Sequence, residues 1–93
     1  MIELLIFGTA GCHLCEQAEQ VLQPVLVHIN DQLVKAGVDN AVVTRVVDIT
    51  DSAELMELYA IRIPVIRLRA DEEELGWPFD EAQAYAFLVA QLS

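Results

Sequence analysis

Two cysteines, Cys12 and Cys15, stand two residues apart in "FGTAGCHLCEQAEQVL", Phe7 to Leu22, and they are the only cysteines in 93 residues. A pair with this spacing can ligate a metal, sit inert in a core, or carry reversible thiol–disulfide exchange. A structural zinc site needs four nitrogen or sulfur ligands. Beyond the cysteines the chain offers only His13 and His28, without the spacing of a second ligand pair. An iron–sulfur cluster needs four thiolates, which two copies of the chain, or one copy with glutathione, would have to share. Inert cysteines that pack as small hydrophobes are a further alternative. Redox chemistry is favoured by the flanks: an apolar run precedes the motif and a helical pattern follows it. Cys12 then falls at a helix N-terminus, where unpaired N–H groups and the helix dipole stabilise a thiolate. Cys12 is the candidate nucleophile, and Cys15, one turn further in, is the candidate resolving thiol.

The elements that must hold this pair are legible in outline. Ile2 to Phe7 reads as a buried strand bounded by Gly8 and Gly11. From Cys15 onward, Ala18, Val21, Leu22, Val25, Leu26, Ile29 and Leu33 recur at helical spacing as far as Gly37. Pro24 falls inside this helix and is expected to kink or split it. "AVVTRVVDI", Ala41 to Ile49, is rich in β-branched residues and predicts a second strand. Asp51 and Glu54 offer a capping box for a helix carrying Leu55, Leu58 and Tyr59. Pro64 to Leu68 predicts a third strand, and "ADEEELGW" a turn and short edge strand with its charges toward water. Asp80 and Gln83 cap a last helix bearing Ala84, Phe87, Leu88 and Leu92.

The order is strand, helix, strand, helix, strand, strand, helix. A βαβ start demands parallel strands with a right-handed crossover, and the last two strands are close enough for a hairpin. One small domain accounts for the whole length, with 55% hydrophobic and 22% charged residues. Five basic against 15 acidic residues give a net charge of −10, which argues against nucleic acid and anionic membrane as partners. The N-terminal "MIELLIFGTAGC" lacks the basic region of a secretory signal, and no apolar run has the length of a membrane span. A cytoplasmic monomer is expected, and in that compartment a close cysteine pair is more often catalytic or metal-binding than a permanent staple.

"LLIFGTAGCHLC", "VVDITDSAELMELYAIRIPVI" and "GWPFDEAQAYAFL" together resemble the glutaredoxin-like branch of the thioredoxin superfamily over almost the whole chain. The resemblance implies an α/β thioredoxin/glutaredoxin-like fold, with a central mixed four-stranded sheet (βαβ then ββα) and helices on both faces. It implies a thiol–disulfide oxidoreductase acting on protein or glutathione mixed disulfides, with no bound cofactor and glutathione as an optional co-substrate. It also implies that Pro64 is a cis proline opposite the active-site disulfide, with a backbone edge at Ile63 free to pair with an extended substrate. A non-enzymatic binding module, or a dimer bridging an iron–sulfur cluster, is the alternative.

This chain departs from the family pattern in ways that bear on glutathione. The usual lysine three residues before the first cysteine is Thr9, the threonine before Val-Pro is Arg62, and the Gly-Gly with its acidic pair is Gly76-Trp77 with Asp80 further on. Arg62 either supplies the missing cation near Cys12 or makes a surface ion pair. His13 is placed to tune the Cys12 thiol. Trp77 and Phe79 are candidates for a substrate groove, with plain packing the competing reading, and His28 reads as a surface or boundary residue.

Overall fold

Strand β1, Ile2–Gly8, is the centre from which the structure is built. Successive side chains of a strand point to opposite faces. Leu4 and Ile6 therefore enter one hydrophobic cluster, and Leu5 and Phe7 enter another on the other side of the sheet. Burial on both faces explains why β1 reads as a nearly continuous apolar run rather than an alternating one. The computed structural model describes residues 1–92.

Strand β2, Val42–Asp48, runs parallel to β1 in a register from Ile2↔Val42 to Gly8↔Asp48. Strand β3, Val65–Leu68, lies antiparallel on the other side of β1, with Phe7 opposite Val65. The two-residue strand β4, Leu75–Gly76, pairs antiparallel with β3. The sheet order is β2-β1-β3-β4. Helices α1, His13–Lys35, and α3, Glu81–Leu92, cover one face, and the short helix α2, Ala53–Tyr59, packs on the other. This is the mixed sheet with helices on both faces that the resemblance implies.

Helix α1 docks through Ala18, Leu22, Val25 and Ile29, a spacing of four, three and four that keeps them on one stripe. Pro24 does not split it. The proline lies on the exposed side, and the carbonyl deprived of its donor belongs to Gln20, also exposed, where water can take the place of the missing N–H. The buried neighbours Leu22 and Val25 hold the helix on the sheet across that point. After Lys35 the chain turns through Gly37 at φ 78°, a left-handed conformation that suits glycine. Asn30 then ties α1 to β2, donating to the Val42 carbonyl at 3.0 Å and accepting from its N–H at 2.8 Å.

Asp51 is not the cap of α2. It belongs to a short 3-10 turn, Ile49–Asp51, capped by Asp48, and Ser52 instead accepts the Leu55 N–H at 3.4 Å. Two overlapping caps compete in "DITDS", and the tighter turn takes the first aspartate. Of the apolar residues on α2, Tyr59 is buried and Leu55 packs beside it, whereas Leu58 is exposed. The capping box ahead of α3 is present: Asp80 accepts from Gln83 N–H at 2.7 Å, and Gln83 accepts from Asp80 N–H at 2.9 Å.

Candidate functional site

The loop from β1 into α1 carries both cysteines. Gly11, at φ 76°, makes the turn that aims the chain into the helix. Cys12 is the N-cap residue, with extended backbone (φ −82°, ψ 104°), and its carbonyl accepts from the Glu16 N–H at 3.2 Å. Its sulfur takes the part usually played by a capping oxygen and accepts from the Cys15 N–H at 3.2 Å. Cys12 and Cys15 are joined as a disulfide, their Cα atoms 5.2 Å apart. The two sulfurs have different surroundings. Cys12 Sγ takes an N–H of the first turn of α1, whereas Cys15 Sγ packs against Gly8, where a Cβ would lie only 2.7 Å from it.

Pro64 is fully buried, and the Ile63–Pro64 peptide bond is cis. The β1–β3 register carried one step beyond Phe7↔Val65 sets Pro64 beside Gly8, and thus next to Cys15. Trp77 N–H donates to the Pro64 carbonyl at 3.0 Å, and Gly76 pairs with Val65 with open space around its Cα. Ile63, Pro64 and Gly76 therefore line the same end of the sheet as the disulfide. The Trp77–Pro78 bond is also cis. Phe79 is buried in the core, which is the packing reading, and half-buried Trp77 packs edge-on against it at 5.1 Å. His28 is exposed and lies 5.4 Å from the Tyr85 ring.

His13 is also exposed and sits 3.7 Å from Glu16, an ion pair when the imidazole is protonated. The Thr9 hydroxyl, at the position of the family's lysine, turns to Asp48. Asp48 lies opposite Gly8 at the end of β2, and its carboxyl is held below the ordinary range chiefly by the Thr50 hydroxyl and amide, with Thr9 helping.

Arg62 makes the ion pair left open as one of its two roles. Its guanidinium meets Glu74 at 2.6 Å, stacks 5.3 Å above the Tyr59 ring, and reaches the Leu58 carbonyl at 3.4 Å. The Tyr59 hydroxyl donates to the other oxygen of Glu74. Below them Tyr59 stacks on Phe7 at 4.4 Å, and Arg67 lies 5.4 Å over Phe7. Burial works to raise the Glu74 carboxyl. The hydrogen bonds from Tyr59 and Arg62 and the charges of Arg62 and Arg67 outweigh it and hold the carboxyl below its usual range. The Tyr59 hydroxyl is pushed up, first by burial and then by Glu74.

Gly8, Asp48, Tyr59 and Glu74 are site residues that local pattern did not single out. Gly8 alone carried a signal, since a glycine closing a strand often marks a close approach. Among the described residues no three His, Cys, Asp or Glu side chains converge as a metal set, and no helix is long and apolar enough to cross a membrane.

The model of the Glutaredoxin-like domain (DUF836) matches residues 3–89. The X-ray structure of Northeast Structural Genomics target protein XcR50 from X. campestris is similar at TM-score 0.69 and 32% identity, over 94% of this chain and 96% of that one. Its solution structure gives TM-score 0.69 and 33% identity, over 97% and 95%. A malarial protein shares the fold at TM-score 0.64 and 12% identity, over 100% of this chain and 99% of that one. No curated protein matches the sequence. Together with a Cys12–Cys15 pair at disulfide distance, these likenesses support a thiol–disulfide redox role in general terms. The chain belongs to the glutaredoxin-like domain family.

Proposed function

We propose that the protein is a glutaredoxin-like thiol–disulfide oxidoreductase of protein disulfides and mixed disulfides. The observation that carries this reading is the unequal setting of the two sulfurs, one at the helix N-cap and the other packed behind it on Gly8. In the reduced protein the Cys12 thiolate attacks one sulfur of a substrate disulfide. A Cys12–substrate disulfide forms and the other substrate sulfur leaves as a thiolate. Cys15, as thiolate, then attacks Cys12 Sγ and expels the remaining substrate thiolate. The substrate gains two electrons and the Cys12–Cys15 disulfide re-forms. A thiol donor, either glutathione or a dithiol reductase, must return those electrons.

Alkylation rate against pH on the Cys12→Ser and Cys15→Ser variants tests the roles. The thiol left in Cys15→Ser, which is Cys12, should titrate in the range of roughly 3.5 to 7.5 found at helix N-termini and in Cys-x-x-Cys motifs. The thiol left in Cys12→Ser should stay near the ordinary value of about 8.5. Cys15→Ser should also accumulate a mixed disulfide with substrate. A faster Cys15 thiol would reverse the roles, and visible absorbance in freshly isolated protein would favour the cluster-bridging dimer. Supplying glutathione with its reductase, or thioredoxin reductase, to the same substrate identifies the donor.

A further inference from the structure

Continuing the β3–β4 pairing from Val65↔Gly76 and Ile66↔Leu75 sets Glu74 opposite Arg67. Ile66 and Leu75 belong to the α1 and α3 side of the sheet, so Glu74 and Arg67 fall on the α2 side with Arg62. Both oxygens of Glu74 are engaged, one by Arg62 at 2.6 Å and the other by the hydroxyl of buried Tyr59. Arg62 is two residues from the cis proline and would be the cation available to an anionic substrate there. On the α2 face Glu74 partners Arg62 and lies across from Arg67, and the chain as a whole carries −10.

We propose that Glu74 determines the substrate preference of this site. By holding Arg62 down on Tyr59 it withholds that cation from anionic disulfides such as glutathione disulfide, and it leaves the site to protein disulfides whose flanking residues are neutral or basic. This inference rests on the oxidoreductase reading and names its substrate class. An anionic ligand must compete with Glu74 for the Arg62 guanidinium while the Tyr59 hydroxyl holds Glu74 in place, whereas a neutral or basic segment need displace nothing.

The test measures exchange rates of the reduced protein with glutathione disulfide and with neutral hydroxyethyl disulfide, and reads their ratio. Glu74→Gln frees one guanidinium. At roughly 10 Å in water its attraction for a doubly charged anion raises the ratio by about two- to fourfold at low salt, and high salt erases the gain. Glu72→Gln makes the same charge change on the same exposed loop and should move the ratio less. Adding Arg62→Gln to Glu74→Gln should return the ratio to the parent value. Tyr59→Phe, which removes the hydroxyl that orients Glu74 and keeps the ring, should shift the ratio the same way by a smaller factor, and it carries the test should Glu74→Gln fold poorly. A Glu74→Gln ratio equal to that of Glu72→Gln, or a gain that survives the loss of Arg62, overturns the proposal. Because any thiolate exchanges with a small disulfide, the ratio is readable whatever the protein's catalytic power. Absolute rates no faster than those of free cysteine would sink the oxidoreductase reading separately.

Discussion

Replacing Gly8 with alanine should weaken the oxidised protein more than the reduced one. Gly8 has no left-handed backbone, so alanine suits its conformation, and the effect isolates a single contact. The new methyl would stand 2.7 Å from Cys15 Sγ and 3.4 Å from Cys15 Cβ. In the disulfide form that sulfur is fixed to Cys12 and cannot swing aside, so β1 or the first turn of α1 must shift. Overpacking of this kind costs about 1–3 kcal/mol. Stiffening the unfolded chain at a former glycine returns about 0.4–1 kcal/mol. The oxidised form should therefore lose about 0.5–2 kcal/mol, combining these two effects. Once the disulfide is reduced, Cys15 can turn to another rotamer and most of the clash disappears. A difference of about 1–2 kcal/mol between the two forms corresponds to about 20–45 mV for a two-electron couple. Its sign follows from which form is hurt. A destabilised disulfide is easier to reduce, so the variant should be the stronger oxidant. Urea midpoints of both redox forms at unchanged m value, together with equilibration against a thiol–disulfide buffer, give the two quantities independently. Equal destabilisation of both forms with no change in potential would refute the reasoning, as would a shift toward a more reducing couple.

Three further expectations concern the scaffold around the site. Cys12→Ser should keep the N-cap of α1 and cost little against the reduced parent, whereas Cys12→Ala should cost about 1 kcal/mol in urea unfolding, and both should lose exchange activity. Asp80→Ala breaks the reciprocal cap of α3 and should cost about 1 kcal/mol in the same assay. The Glu74 carboxyl is depressed in the folded state, so its stabilisation is present above the unfolded carboxyl value and is lost as pH falls through the folded one. The Tyr59 hydroxyl is raised, so its contribution is present below the ordinary phenol value of about 10 and is lost as pH rises through the folded one. Urea midpoints across pH should show a flatter acid limb in Glu74→Gln and a flatter alkaline limb in Tyr59→Phe.

What could be read from the sequence divides along the range of the interactions. The strand before Cys12, the α1 stripe and the Asp80–Gln83 cap are set by neighbours within a few residues, and pattern recovered them. Of the kink or split expected at Pro24, the split does not occur, because the packing offsets the local penalty: Leu22 and Val25 clamp the helix on either side. Asp51 lost the α2 cap to Ser52 because the backbone first closed a 3-10 turn on Asp48. Arg62 could be narrowed to two roles, yet its partner lies twelve residues on, in "ADEEELGW", which reads locally as a solvated charge run. Only the pairing of β3 with β4 lifts Glu74 out of that run.

The same pairing explains why the site's electrostatics do not follow from its cysteine motif. The helix N-terminus gives Cys12 a local reason to ionise that is independent of any basic residue, since it comes from backbone N–H groups. Cations are therefore not needed to activate the nucleophile in this fold, and they can be committed elsewhere. Here Arg62 and Arg67 flank the Phe7–Tyr59 stack, and Glu74 closes the assembly over Tyr59. Activation of the thiol and selection of the substrate are thus separable. On the proposed reading the first resides in the start of α1, and the second in Glu74, Arg62 and Tyr59 on the α2 face. A variant of those side chains should alter which disulfides are attacked while moving the Cys12 alkylation profile by no more than about 0.3 pH unit, the pull of one guanidinium at roughly 10 Å in water, and a Glu74→Gln protein with a larger shift would show that the two are coupled after all.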